Sequence, residues 1–423
     1  MMVSALALAP APNSLAAQHL TPGLSQRVRM LASLLAVGVL FSGAASWGWN
    51  TGRFAAPPIA AMLVVLALAV LALLLDMSRI GSGVLIGWAV ASASISMAAF
   101  LWSSGSDAAL QEVSTRVLST LQLIAFVVVL ADGGARGLAR AAIVVVSLVA
   151  VGMNLWEITH PMAFSMSLGR SAGFHVNPNI SGAALTVGML LGLPAVPARL
   201  RELYVLVVAI GVFTTLSRGA IFCWAIVVAF LAASRVVRGK RLALCFAAGA
   251  VLSLSVVGAM LSSGKLGYLD GGAETFVRQR LAIGSKEQLG ADVSASSRSQ
   301  LALRALEMFG ERPVGGYGTG ATVEWSEAES THNVYVRHLA EYGLVGAWLV
   351  PVLLVLGWRA AGAQAGVSDD AGAPALRVAT ARGFILFIGL WGLFSHNVLD
   401  DGFVLIGLAL TAAMPQASLE HGS

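Results

Sequence analysis

Residues 56–75 read A-P-P-I-A-A-M-L-V-V-L-A-L-A-V-L-A-L-L-L, without one charged or hydrogen-bonding side chain. About 20 such residues carry a helix across the hydrocarbon core of a bilayer. The pattern recurs along the chain: further apolar windows fall near 30–47, 80–102, 117–131, 138–155, 180–197, 203–217, 219–233, 242–262, 333–357, 378–395 and 403–416. Only 11% of the 423 residues are charged and 57% are hydrophobic, against about 25% charged in soluble domains. Barrel strands would give short alternating segments instead. The expected fold is therefore all-α, a polytopic bundle of about twelve membrane helices.

The loops predict an orientation. One alternate set holds Arg27, Arg29, Arg79, Arg136, Arg140, Arg199, Arg201, Arg235, Arg238, Lys240, Arg241, Arg359, Arg377 and Arg382; the short loops of the other hold Arg53, Arg116, Arg170 and Arg218. The positive-inside rule then puts both termini in the cytoplasm. The formal charge of +5 belongs to this loop bias, and nucleic-acid binding is not expected. The divisions read as a cytoplasmic tail (1–29), spans one to nine (30–262), a long extracytoplasmic loop (263–331), spans ten to twelve (332–416) and a second tail (417–423). The stretch to Leu24 has no Lys or Arg and so lacks the basic start of a cleaved signal peptide. Cys223 and Cys245 fall in apolar runs and read as packing residues.

The long loop contains an amphipathic stretch, Ser299 to Gly310, with Leu301, Ala305 and Met308 on one face and Arg304 three residues before Glu307. It is expected to lie on the membrane surface or to cap the bundle. The run P-V-G-G-Y-G-T-G (313–320) lacks the G-K-[ST] ending of a phosphate loop and reads as a tight turn back to the bilayer.

Few residues can carry chemistry. Arg218, in T-T-L-S-R-G-A-I-F, is either a snorkelling arginine or an anion clamp, since a guanidinium matches phosphate with a two-pronged donor set. Arg298, in S-A-S-S-R-S-Q, stands just before the amphipathic stretch, where free helix N–H groups would help it hold a phosphate. His332 opens T-H-N-V-Y-V-R-H-L-A-E-Y-G-L-V-G, where a polar loop meets an apolar span. It is either an interfacial histidine or a proton acceptor at a helix N-terminus. His338, six residues on, faces elsewhere. His396 and Asp400 are four apart and would face each other, most simply as a structural pair. In G-F-H-V-N-P-N (173–179), Asn177 or Asn179 is a candidate helix cap. No zinc-protease motif, dinucleotide fingerprint or recurring ligand spacing is present, so neither metal nor cofactor is expected.

Taken in order, G-F-H-V-N-P-N, L-S-R-G-A, S-S-R-S-Q-L-A-L-R-A-L with P-V-G-G-Y-G-T-G, and H-N-V-Y-V-R-H-L-A-E-Y-G-L-V-G make residues of about 170–350 resemble the bacterial O-antigen ligase/polymerase superfamily. The resemblance implies a twelve-helix fold similar to membrane glycosyltransferases of the C type. It implies a glycan donor on a polyprenyl diphosphate such as undecaprenyl diphosphate, in the bacterial inner membrane, with chemistry on the periplasmic face. The acceptor would be a lipid A–core sugar hydroxyl in a ligase, or a growing chain in an O-antigen or exopolysaccharide polymerase. Transfer would be inverting and metal-independent. By motif, Arg218, Arg298 and His332 fall where the superfamily's functional residues fall, with Asn333, His175 and Asn179 as candidate substrate contacts. A reading of another class, a transporter or flippase of lipid-linked anionic glycans, also accommodates buried arginines, but the chain lacks the matching halves common in transporters.

Overall fold

A computed structural model describes residues 23–78, 80–244, 246–247, 293–324, 331–366 and 373–412. Among these every regular element is helical. Helix α1 (Leu24–Leu35) runs into a π-turn (Ala36–Phe41), and a short α2 (Ala44–Asn50) follows Gly43. Then come α3 (Pro58–Leu75), α4 (Gly83–Phe100), α5 (Asp107–Val129), α6 (Gly133–Thr159), α7 (Pro178–Gly192), α8 (Arg201–Thr214) and α9 (Arg218–Ala233). Within the long loop lies α10 (Val293–Glu311), and beyond it α11 (Val334–Ala347), α12 (Leu349–Ala363), α13 (Pro374–Trp391) and α14 (Gly402–Thr411).

Small polar residues set the helix starts. Ser82, Ser106, Asp132, Asn177, Ser217 and Asn333 each accept a backbone N–H from the first turn of α4, α5, α6, α7, α9 and α11. Proline opens α3, α7 and α13, where its missing N–H costs nothing.

Seven described helices are long and apolar enough to cross a membrane, or eight if the bent pair α11–α12 is one span. The chain is thus a multi-pass membrane protein. Helix α3 exposes Leu63, Val64, Leu71 and Leu74 and is the most lipid-facing. Helix α7 is buried on nearly every side at the centre, packed by α6, α8, α9, α13 and α14. Its small and apolar residues, with only Asn179, Ser181 and Thr186 polar, suit that position. The expected span at 242–262 lies almost wholly outside the described residues, as do Cys245, most of 263–331 and the C-terminal tail. Cys223 is buried, as expected of a packing residue.

Three expectations change. The window 30–47 is not one helix: the helical run Leu24–Phe41, which includes the π-turn, is itself long enough to cross, and Gly43 in a left-handed conformation ends it there. The amphipathic helix starts at Val293, six residues before Ser299, so Arg298 lies inside the helix rather than before it. The free N–H groups invoked for phosphate binding are therefore not beside Arg298.

The third change concerns 333–357, which is broken and bent by 69° between α11 and α12. Within α11, Gly343 has φ 56° and ψ −151°, a conformation a side chain strongly disfavours. The break frees the carbonyls of Ala340 and Glu341 from the N–H groups of Leu344 and Val345, their partners in an intact α-helix. The glycine-rich run fills both vacancies. Tyr317 and Gly318 donate to the Ala340 and Glu341 carbonyls at 2.9 Å each, while Leu344 and Val345 donate to Pro313 and Val314 at 2.8 and 3.2 Å. So 313–318 is spliced into the ladder of a membrane helix. Non-helical backbone at such depth has to be satisfied by protein. The Tyr317 and Gly318 N–H groups are spent there, which agrees with reading the run as something other than a phosphate loop.

Candidate functional site

The two ends of the bundle differ in chemistry. At one end, buried arginines close helix C-termini. Arg29 donates to Val128 and, at 3.2 Å, to the Asp76 carbonyl; Arg136 donates to Leu130 at 3.2 Å and Ala131 at 2.9 Å; Arg140 donates to Leu191 at 3.1 Å. These are positions at which a cation also meets the negative end of a helix dipole.

The other end gathers the N-termini of α5, α7, α9, α11 and α14, and most of the candidate residues stand there. His332 precedes the cap of α11 with φ +50°, a left-handed conformation unusual for a residue with a side chain. Its ring meets that of His396 edge-on, with centroids 5.6 Å apart. Burial first, then the charge on Arg337 and the neighbouring His332, push His396 down to about 3, so its ring is neutral. His396 Nδ1 is buried with no hydrogen-bond partner among the described residues. Asn333 caps α11: its Oδ1 accepts from Tyr335 at 3.0 Å and Val336 at 3.2 Å. That oxygen is committed to the helix.

Arg218 is the first residue of α9, exposed, directly after the capping Ser217. Gly219 lies so close to Phe394 that a Cβ there would meet the ring at 3.0 Å, and Phe222 meets the same ring at 6.0 Å between centroids. The turn after α13 therefore touches the start of α9 through Phe394 and His332 through His396. Arg218 and His332 stand on either side of one short turn. Nearby, Arg170 donates to Asn179 Oδ1 at 2.8 Å and to the Thr215 carbonyl at 3.0 Å, tying the loop before α7 to the approach of Arg218. Asn177, not Asn179, caps α7, accepting from the Asn179 N–H at 2.9 Å.

His175 packs into the fold. Its ring lies edge-on to Phe403 at 6.1 Å and abuts the turn at Gly43, where a Cβ would meet Nδ1 at 2.8 Å. Burial lowers it to about 4, so it too is neutral. Arg298 is half-buried in the second turn of α10, the helix packed on α11. The structure places it on a different element from the Arg218–His332 turn.

Beneath His332 lies a buried ionic network. Arg337 pairs with Glu112 and, at 3.3 Å, with Glu341, and donates to Asn397 Oδ1 at 3.3 Å. Thr322 donates its hydroxyl to Glu341 at 2.6 Å. Asp400 meets Arg116 at 3.1 Å, not His396 as the four-residue spacing suggested. The turn from Ser395 is not helical, so residues four apart there do not share a face. Asp401 beside it is raised to about 8, by burial first and then by Asp400. The i,i+4 spacing of Arg337 and Glu341 on a helix is visible in the sequence. Nothing there points to Glu112, 225 residues away, or to the role of Arg170.

Chemically this end offers an exposed guanidinium, a strained imidazole supported by a neutral one, and a rigid ionic foundation. Among the described residues no group of three or more His, Cys, Asp or Glu side chains is placed to hold a metal ion. Residues 203–350 match the family described as O-antigen ligase. The match takes in Arg218, Arg298 and His332, while His175, Asn179 and His396 lie outside it. No curated protein matches the chain.

Proposed function

The chain belongs to the O-antigen ligase/polymerase superfamily, and from that premise we propose that it is a glycosyltransferase of the bacterial inner membrane, working on the periplasmic face. The proposed donor is a glycan on a polyprenyl diphosphate. The proposed acceptor is a sugar hydroxyl of lipid A–core. The observation that supports this reading best is the placement of Arg218 and His332 across the turn that carries Phe394 and His396. An anion clamp and a proton acceptor flanking one turn are what displacement at an anomeric carbon needs.

In the proposed reaction the acceptor oxygen attacks the anomeric carbon from the face opposite the diphosphate and inverts it. His332 takes the hydroxyl proton. The bond from the anomeric carbon to the phosphate oxygen breaks, and the lipid diphosphate leaves with the electron pair. Arg218, with Arg298 reaching in from α10, stabilises the charge that develops on it. Diphosphate is a good leaving group, so the base need supply only about 10²–10⁴-fold. Asn333, Asn179 and His175 are proposed to shape the pocket: Asn333 by fixing the start of α11, Asn179 through Arg170, and His175 from beneath α14. Arginines neutralise the diphosphate, so no metal is assigned to the reaction.

The test is transfer by purified protein given donor and acceptor in excess chelator. Product is expected from the wild type. His332→Ala should be inactive, and Arg218→Lys should fail nearly as badly as Arg218→Ala, because lysine keeps the charge and loses the fork. An active His332→Ala variant, or activity that returns only with an added divalent ion, would overturn the mechanism. Deleting the protein in cells separates the two branches: a ligase loses glycan from lipid A–core, whereas a polymerase only shortens the chain.

A further inference from the structure

A cavity of about 530 Å³ opens between α10 and the turn after α4, within the size range of small-molecule sites. Helix α10 contributes Arg304, Glu307 and Glu311, which share a face by their spacing of three and four. The turn after α4 contributes Trp102 and Ser104, and the segment after the glycine-rich run contributes Glu324. Tyr317 and Arg312 complete the polar lining.

We propose that this groove binds the sugar rings of the acceptor glycan; the inference rests on the transferase reading above. Three features support a neutral, hydroxyl-rich ligand. First, the lining mixes guanidinium and carboxylate groups, with three glutamates against two arginines. That balance disfavours a diphosphate and suits hydroxyls, which donate to carboxylates and accept from guanidinium groups. Second, two aromatic rings lie among these charges. Trp102 is 45% exposed, yet its indole N–H is anchored to the Gly315 carbonyl at 3.3 Å. An aromatic face takes the C–H side of a sugar ring by dispersion. Third, the lining is held in place before any ligand arrives. The Arg312 guanidinium sits 4.4 Å over the Tyr317 ring, whose hydroxyl donates to Glu311. Glu324 accepts from Ser104 and, at 2.5 Å, from Ser106. Such preorganisation lowers the entropy lost on binding.

The groove is also linked to the proposed chemistry. Thr322, between Ala321 and Glu324 of the lining, donates to Glu341. Glu341 pairs with Arg337, and Arg337 reaches Asn397, the neighbour of His396. A chain of direct contacts thus runs from groove to His332. A saccharide lying here would present its end at the same face of the bundle.

The probe is the oligosaccharide released by mild acid from the producing bacterium's own lipopolysaccharide, titrated calorimetrically into full-length protein in detergent. Trp102→Ala and Glu307→Gln should each weaken binding about tenfold, equivalent to ~1.4 kcal/mol, and Trp102→Phe should recover most of the loss. In transfer assays the first two should raise the acceptor KM by a similar factor, with smaller changes in kcat and in donor KM, the signature of lost uniform binding. Glu307 is exposed on α10, so its variant tests the groove even where Trp102→Ala lowers the folded yield. No saccharide binding by the wild type, or unchanged binding in Glu307→Gln and in folded Trp102→Ala, overturns the proposal and leaves Trp102 as a membrane-interface anchor. A wild type that binds the saccharide through these residues and yet transfers no glycan keeps the groove and removes the transferase reading instead.

Discussion

His332 holds a left-handed backbone angle between Thr331 and the cap Asn333, and its ring packs edge-on against His396. Backbone strain of this kind costs of order 1–3 kcal/mol and persists only where the surroundings hold it. We expect His396→Ala to lower kcat about tenfold at matched folded protein, and His396→Phe, which keeps the ring edge, to retain most activity. A phenylalanine variant as poor as alanine, with glutamine better than both, would move the role from the ring to its nitrogen. Asp401 yields a pH prediction. Its folded value near 8 lies above the ordinary 3.8, so between those values the folded state binds a proton that the unfolded chain has released. Stability from this group is full below about 3.8 and is lost as pH rises through about 8. The midpoint of thermal unfolding in detergent should fall between pH 6 and pH 9, and Asp401→Asn should flatten that fall; an unchanged slope in the variant would remove Asp401 as its source. Arg218 and His332 were legible in sequence because each is a polar group at the edge of an apolar run. Arg170 and Glu112 were not, because their meaning lies in partners that only the packed bundle supplies.

Among the elements, α11 departs most from a sequence reading. Its apolar window predicted one continuous crossing, and hydropathy alone carries no signature of a break. The sign was Gly343, together with a glycine-rich run whose destination could not be read. A Cβ at Gly343 would lie 2.4 Å from the Val314 carbonyl oxygen and 2.6 Å from that of Pro313. Gly343→Ala should therefore sharply reduce the folded yield. Gly137→Ala, in the second turn of α6 with nothing within 4 Å of its Cβ position, should be neutral or slightly stabilising, because alanine is the better helix former. Size-exclusion profiles of the two variants check this, and equal profiles would mean that the splice between 313–318 and α11 contributes little. The start of α10 was misplaced for a different reason: V-S-A-S-S carries no apolar stripe, so periodicity detects the helix only where its amphipathic part begins.

For the whole molecule, the alternation of basic loops predicts which end faces the cytoplasm. A reporter fused after Gly239 should behave as cytoplasmic and one after Ser263 as extracytoplasmic; the reverse result would move every proposed site residue to the other side. The number of crossings was less legible than their existence. Helices α8, α9 and α14 run to 14, 16 and 10 residues, short of the roughly 20 needed to span unaided, and they are built into the bundle beside longer neighbours.

The arginines that close helix ends have a consequence for biogenesis. In the orientation that the loop charges predict, Arg29, Arg136 and Arg140 act during insertion only as charges that resist translocation. Once neighbouring helices arrive, the same side chains become donors to Val128, Leu130, Ala131 and Leu191. Lysine would serve the first purpose and poorly serve the second, since it lacks the planar fork. Orientation and assembly are thus written in the same residues but in different properties of them, so a chain can enter the membrane the right way round and still fail to close.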